Sequence, residues 1–229
     1  MTKKHRGPDE DQPPLYQPGR QRQSRVFYIA VEGEVTEVDY LGHLQRNFGE
    51  DLDFKIHILY SKNGLKPLEV VDRVIAEEAE EGAQKWALFD RDEHVDVPAA
   101  FEKAKQNEIK VAFSHPSLDL WLLLHFAGFD SGAQSGSSEV VKEKLRKFPG
   151  FADYDKSGDR PRKHVRGPRS DALLGKEAAA TRNAKRLTND CPTQDCTAKN
   201  GHADYCPPLK RDPSTDVWKL LAELKIVSG

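Results

Sequence analysis

Acidic residues follow two short apolar runs of the chain, and their types and spacing suit metal chemistry. The run from Trp86 to Phe89 has the pattern of a buried strand and ends in Asp90 and Asp92. Because side chains alternate along a strand, the two carboxylates would face the same way. Two carboxylates so close together repel each other, and a bound hard divalent cation with oxygen ligands, Mg²⁺ or Mn²⁺, would offset that repulsion. The alternative is a solvated acidic turn after an ordinary strand.

A second acidic strand end lies earlier in the chain. Residues 26–31 are β-branched and aromatic, as a buried strand requires, and they stop at Glu32. Gly33 allows a sharp turn, and apolar residues then recur at helical spacing from 38 to 48. In open α/β sheets such strand-to-helix turns line the ligand-binding edge. We therefore expect Glu32 to lie at the carboxyl edge of the sheet.

These strands belong to a regular alternation that predicts the fold. Further strands are indicated at 55–60 and 110–114, and helices at 67–81 and 97–107. Strands and helices alternating at this spacing predict an α/β fold, with a doubly wound parallel sheet of about four strands. Right-handed crossovers would bring Glu32, Asp90, Asp92 and the segment 115–116 to one edge.

The next segment predicts a buried helix with one acid near its start. Residues 118–126 are apolar almost all round, which indicates a helix covered on every side. Asp119 lies in its first turn. A buried acid needs a partner, so Asp119 is either a fourth metal-site residue or an N-terminal cap.

Composition divides the chain into three segments. Residues 1–24 are rich in proline, glutamine and charge and predict a disordered tail. Residues 25–127 form the predicted α/β domain, and 128–229 a basic loop with a C-terminal helical region. In that last region, helices are expected over 172–186 and after residue 216.

The segment from 142 to 169 is locally basic, with ten lysines and arginines against four acids. Because such side chains neutralise phosphates and release counterions, the segment is a candidate for contact with a nucleic-acid backbone. A solvated basic loop is the alternative. The residues of this prediction are Arg160, Arg162, Lys163, Arg166 and Arg169.

The three cysteines of the chain fall in one short loop, residues 191–206, together with a histidine. Cys191, Cys196, His202 and Cys206 offer three thiolates and an imidazole, which is a complete tetrahedral zinc set. Their spacing matches no standard zinc finger. The loop is therefore either a structural Zn²⁺ site or an irregular loop with free thiols.

Global composition excludes several classes of protein. The net charge of −2 over 229 residues gives no overall attraction to nucleic acid or membrane. No apolar run is long enough to span a bilayer, so no membrane partner is expected. An odd number of cysteines argues against a disulfide framework and favours a reducing compartment, so a cytoplasmic location is expected.

Four motifs, in order, resemble those of the RloB family, a Toprim-like group found beside restriction and abortive-infection genes. Residues 31–37 (VEGEVTE), 89–92 (FDRD) and 114–126 (SHPSLDLWLLLHF) are similar to its three signatures, and 213–217 (PSTDV) to its last motif. The resemblance covers about 25–227, apart from the cysteine loop, which looks like an insertion.

The resemblance implies a Toprim-like fold and a metal-dependent nuclease in antiphage defence. In the Toprim pattern Glu32 serves as general acid/base or metal ligand, and Asp90 and Asp92 hold Mg²⁺. The chain departs from the pattern twice, since Asp119 stands where glutamate is expected and His115 where asparagine is expected. The resemblance also implies a partner ATPase. ATP chemistry would need such a partner, because this sequence contains no phosphate-binding G-x-x-x-x-G-K-[ST] loop.

Two other functions remain open. Residues 89–92 could be the nucleophile motif of a haloacid-dehalogenase-type phosphatase, in which Asp90 attacks phosphorus. The motif follows the third strand, however, and no later acidic pair accompanies it. The chain could also be a non-catalytic metal-binding sensor or effector subunit, because fold resemblance does not establish activity.

Overall fold

The computed structural model describes residues 24–91, 94–129, 137–156, 160–188, 191, 193–203 and 205–228. Nearly all of the predicted disordered tail lies outside these residues. So do Asp92, a predicted metal ligand, and most of the linker after residue 129.

A single five-stranded sheet organises the described chain. Its spatial order is β2-β1-β3-β4-β5, and β1 to β4 are parallel, which confirms the predicted α/β fold. A fifth strand pairs antiparallel with β4 and was not predicted, because two polar residues carry no strand pattern. The strands are β1 (Arg25–Val31), β2 (Phe54–Leu59), β3 (Gln84–Asp90), β4 (Lys110–His115) and β5 (Ser214–Thr215).

Eight α-helices are described, and they cover both faces of the sheet. They are α1 (Thr36–Phe48), α2 (Pro67–Ile75), α3 (Val97–Gln106), α4 (Leu118–Leu124), α5 (Ser138–Leu145), α6 (Pro168–Leu173), α7 (Glu177–Arg186) and α8 (Val217–Glu223). Short 3₁₀ turns occupy Arg160–Lys163 and Pro208–Lys210.

Successive residues of a strand point to opposite faces of the sheet and pack into two separate apolar layers. Ile29 and Leu88 join the layer formed with α1, α4, α5, α7 and α8, whereas Ala30 and Phe89 join the layer formed with α2 and α3. Helix α4 is buried at all seven positions, as its apolar sequence predicts. Its Trp121 packs edge-on against Tyr40 of α1, with ring centroids 6.4 Å apart.

The strand order creates a crevice at the carboxyl edge. From β1 the chain goes through α1 to β2 on one side, then returns through α2 to β3 on the other. The two helices pack on opposite faces. Such a reversal leaves an open crevice beyond the carboxyl ends of β1 and β3, where open α/β sheets bind ligands. Glu32 follows β1, and Asp90 ends β3.

Candidate functional site

Glu32 and Asp90 meet at the ends of two neighbouring strands. The backbone N–H of Asp90 donates to Glu32 Oε2 at 3.1 Å, and His94 Nε2 lies 3.0 Å from Glu32 Oε1. Strand pairing of Val31 with Leu88 sets this register. The structure therefore brings together two of the three predicted catalytic acids, while Asp92 lies outside the described residues.

The carboxylate of Asp90 is half satisfied. Its Oδ2 accepts from the backbone N–H of Leu118, at 3.0 Å. Its Oδ1 is buried and has no hydrogen-bond partner among the described residues. Burial, followed by the nearby charges of Glu32 and Glu37, raises the pKa of Asp90 well above its ordinary value. An orphaned acidic oxygen of this kind suits a bound cation.

Asp119 joins the same cleft from the first turn of α4. The Tyr154 hydroxyl donates to its Oδ1 at 2.6 Å and lies 3.3 Å from Thr36 Oγ1. Burial raises the pKa of Asp119, and the bond from Tyr154 partly opposes this shift. Asp119 does not cap α4 with its side chain, and Ser117 is the N-cap residue. Of the two roles open from sequence, the geometry favours the site residue.

Glu37 is a fourth carboxylate, which the sequence reasoning did not assign to the site. It is buried in the first turn of α1 and lines the same cleft. A Cβ at position 33 would collide with the Glu37 carboxylate, so the absence of a side chain at Gly33 lets this carboxylate lie next to the end of β1. Burial, with the charges of Glu32 and Asp119, raises the pKa of Glu37 to about 7. Its place one turn after Gly33 was the available signal.

Lysines complete the cleft, which has a volume of about 680 Å³. Lys142 and Lys163 both approach Asp155, at 2.7 and 3.5 Å, and line the cleft from the C-terminal half of the chain. Lys62 and Lys66 line it from the loop before α2. A cleft with acids at its floor and ammonium groups around it can hold both a divalent cation and a phosphate.

The predicted basic segment is largely engaged within the protein. Arg169 is buried and donates to the carbonyls of Gly150, Arg162 and His164. It also pairs with Asp153 at 2.7 Å. Arg169 therefore holds several loops together and does not offer a free cation.

A buried acid on α1 fixes the middle of this segment. Asp39 accepts from His164 Nδ1 at 2.7 Å, Val165 N at 3.0 Å and Arg166 Nε at 2.5 Å. Arg162 is exposed, and the side chain of Arg160 is not described. Of the five predicted nucleic-acid contacts, Lys163 lies in the acidic cleft and Arg162 on the surface.

The Cys/His loop brings its four predicted ligands together. The donor atoms of Cys191, Cys196, His202 and Cys206 all lie within 4.8 Å of one another. Cys191 Sγ and Cys206 Sγ are 3.5 Å apart, close to the roughly 3.8 Å that tetrahedral Zn–S geometry gives. Among the described residues, no other group of three or more His, Cys, Asp or Glu side chains has its ligand atoms this close together. It could hold a metal such as zinc.

Arg211 anchors the Cys/His loop to the sheet. This buried guanidinium donates to the carbonyls of Ala203 and Cys206 and pairs with Asp216 at 3.0 Å. The backbone N–H of Asp216 donates in turn to Phe113 O of β4, at 2.7 Å. The loop is thus bound to the last RloB-like motif and through it to the sheet.

Fold and site together define the class of protein. A mostly parallel sheet flanked by helices, with acids gathered at its carboxyl edge, is a Toprim-like α/β arrangement. The chain belongs to the RloB-like family, whose model, described as RloB-like protein, matches residues 27–224. No curated protein and no solved structure matches the chain in the corresponding comparisons. Of the helices described, none has the length and apolar character needed to cross a membrane.

Proposed function

We propose that this protein is a metal-dependent nuclease that hydrolyses phosphodiester bonds in DNA or RNA. The observation that carries the proposal is the gathering of Glu32, Glu37, Asp90 and Asp119 in one lysine-rimmed cleft at the switch point of the sheet. Membership in the RloB-like family supports it, because all four acids fall within the segments that resemble the signatures of that family.

The donor set of the cleft fits a hard cation. Asp90, with its orphaned Oδ1, and Glu32 and Asp119 beside it would hold Mg²⁺ or Mn²⁺, and Asp92 would be a further ligand. A cation would draw these carboxylates together and offset the burial and the repulsion that raise the pKa of Asp90. When bound, the metal supplies charge neutralisation at the scissile phosphate and activation of water.

The residues of the chain supply the remaining steps. Lys142 and Lys163 would orient a backbone phosphate over the acids. The water oxygen would bond to phosphorus as the ester P–O bond breaks. Glu37, which lines the cleft, would accept a proton from the attacking water, and the leaving oxygen would take up a proton from solvent. Proton transfer of this kind contributes about 10²–10⁴-fold to a rate.

The phosphatase alternative is less well supported. A nucleophilic aspartate needs one oxygen free to approach phosphorus. Asp90 Oδ2 is held by Leu118 N, which leaves only Oδ1 for such an attack. Three further acids in the same cleft would repel a phosphate in the absence of a cation, so the arrangement suits a metal ligand better than a nucleophile.

The biological setting is a proposal drawn from the RloB resemblance. We propose a role in antiphage defence together with a partner ATPase, which would have to supply any ATP chemistry because the sequence has no phosphate-binding loop of its own. The cytoplasmic location stays a prediction. For the Cys/His loop we propose structural Zn²⁺, supported by the convergence of its four donors.

The test is a cleavage panel of plasmid DNA, single-stranded DNA and total tRNA with Mg²⁺ or Mn²⁺. We expect metal-dependent cleavage that is lost in Asp90→Ala and Glu32→Ala. The exposed Glu102→Ala on α3 serves as matched control and should retain activity. Phosphate release from small monoesters without nuclease activity would favour the phosphatase. Silence on every substrate, also after addition of a candidate partner ATPase, would favour the non-catalytic sensor.

A further inference from the structure

We propose that a groove on helix α7 is a second nucleic-acid contact, which binds a backbone phosphate away from the acidic cleft. This α7 groove comprises Thr181, Arg182, Lys185, Arg186 and, from the Cys/His loop, Lys199. The proposal deepens the proposed nuclease function and rests on it for the identity of the ligand. It also assigns a role to the Cys/His loop, which supplies one wall.

The charge of the α7 groove is of one sign. Its volume is about 430 Å³, and its lining includes four cationic side chains. None of the four forms an ion pair with any residue of the described ranges. Glu177, at the start of α7, turns away toward buried His43, with 3.7 Å between Glu177 Oε1 and His43 Nε2. Four cations without an ion pair to any described residue favour an anionic ligand.

A buried polar group adds an independent indication of a ligand. Thr181 lines the α7 groove and is only 5% exposed, and its Oγ1 has no hydrogen-bond partner among the described residues. Buried hydroxyls are nearly always paired, so an orphaned one calls for an acceptor from outside. A phosphate oxygen beside the arginines would accept this hydrogen bond.

One cation of the α7 groove is held in place. Lys185 Nζ lies 4.5 Å from the ring centroid of Trp218 on α8. This stacking limits the motion of the side chain and lowers the entropy lost on binding. Arg182, Arg186 and Lys199 are exposed and able to reach a ligand.

The position of the α7 groove sets a minimum length for a substrate that uses both sites. Asn183 of α7 donates to Leu124 O at 2.8 Å, so α7 abuts the carboxyl end of α4. Asp119 lies near the other end of α4, five residue steps before Leu124, which is about 7.5 Å along a helix. A dinucleotide has a single backbone phosphate, so with that phosphate in the cleft it offers none to the α7 groove, whereas a long chain can offer one to each site.

The experiment compares two charge-matched double variants. Arg182→Glu with Lys199→Glu alters the α7 groove, and Arg73→Glu with Lys105→Glu makes the same change on α2 and α3. Binding of labelled plasmid-derived duplex and of bulk tRNA is measured by salt titration without divalent metal, so that no cleavage occurs. We expect the groove variant to lose about tenfold or more in affinity and to show a salt slope shallower by about two. The control should keep the wild-type slope.

Cleavage of a dinucleotide with Mg²⁺ or Mn²⁺ separates this proposal from the nuclease proposal. The groove variant should cut the dinucleotide at the wild-type rate and long nucleic acid more slowly. If neither the wild type nor the variants cut any substrate, but only the groove variant loses binding, the α7 groove proposal is supported and the nuclease proposal is contradicted. The proposal would be overturned if the groove variant kept the wild-type affinity and salt slope. It would also be overturned if the control variant lost as much affinity as the groove variant.

Discussion

At the scale of single residues, Asp90 shows a conflict between folding and binding. Its Oδ1 is buried without a partner, and burial raises its pKa beside Glu32 and Glu37. Keeping such a group charged costs free energy of folding unless a counter-charge is present. The chain retains this arrangement at a sheet edge where ligands bind. The proposed cation site would supply the missing counter-charge.

Replacing Asp90 by asparagine should therefore stabilise the metal-free protein. We expect a gain of about 1–3 kcal/mol in the free energy of unfolding at neutral pH, because the buried charge is removed while the shape is kept. Urea unfolding with chelator present measures this change. Mg²⁺ should raise the stability of the wild type, by about 2.7 kcal/mol at a hundredfold excess over Kd, but not that of Asp90→Asn.

Glu102→Gln, on the exposed side of α3, provides the matched control for that loss of charge. It should change neither the stability nor its response to Mg²⁺. A destabilised Asp90→Asn that still responds to Mg²⁺ would contradict the assignment of Asp90 as a metal ligand.

Glu37 makes the stability of the metal-free protein depend on pH. Its pKa rises from 4.5 to about 7 on folding, so the folded state binds the proton more tightly than the unfolded chain. The resulting stabilisation is fully present below about pH 4.5 and is lost as the pH rises through 7. Between about pH 5 and pH 8 we expect the wild type to lose about 2 kcal/mol more than Glu37→Gln. Denaturant titrations at both pH values measure this difference. If the free energy of unfolding changes equally with pH in the two proteins, the raised pKa of Glu37 is refuted.

At the scale of elements, buried charged groups hold two loops of the C-terminal segment in place. Asp39 pins residues 164–166 to α1, and Arg211 ties the Cys/His loop to Asp216. Both are low-exposure groups with several hydrogen bonds each. These loops are thereby held next to the sheet without regular secondary structure of their own.

The Cys/His loop should depend on metal for its order. We expect one zinc per chain by elemental analysis, lost in Cys206→Ser, with faster proteolysis within 191–206 because the ligands no longer hold the loop. Gln194→Ala, an exposed change in the same loop, should keep its zinc. Zinc-free wild type with three freely titratable thiols would leave the irregular loop as the answer.

At the scale of the whole molecule, regular features could be predicted from the sequence and long-range ones could not. Helix α1 and strands β1 to β4 follow from apolar periodicity, which local sequence displays. A single helix was expected over 172–186, but Gly175 takes a left-handed φ of +80° and separates α6 from α7. The bond from Tyr154 to Asp119 joins residues 35 apart, and no local pattern indicates it.

The division of the chain at residue 127, drawn from composition, stays a prediction that packing allows to be tested. Helix α4 lies before this boundary, yet Val141, Leu145, Phe151 and Tyr154 share its apolar cluster from beyond it. Each such large apolar side chain contributes roughly 1.5–3 kcal/mol when buried. A fragment ending at 127 would expose that face of α4, and small domains have little stability to spare.

We therefore expect residues 24–127 alone to lack a cooperative unfolding transition and to bind a hydrophobic dye. The fragment 24–228, which omits nearly all of the predicted tail, should unfold cooperatively with the full-length midpoint. The short fragment also loses Tyr154, Lys142 and Lys163, so it should bind Mg²⁺ more weakly than 24–228, because Tyr154 orients Asp119. Cooperative unfolding of 24–127 with unchanged Mg²⁺ affinity would show that the core and the site both end at the predicted boundary. If the fragment 24–127 neither unfolds cooperatively nor binds Mg²⁺ with unchanged affinity, the acidic cleft requires residues beyond 127.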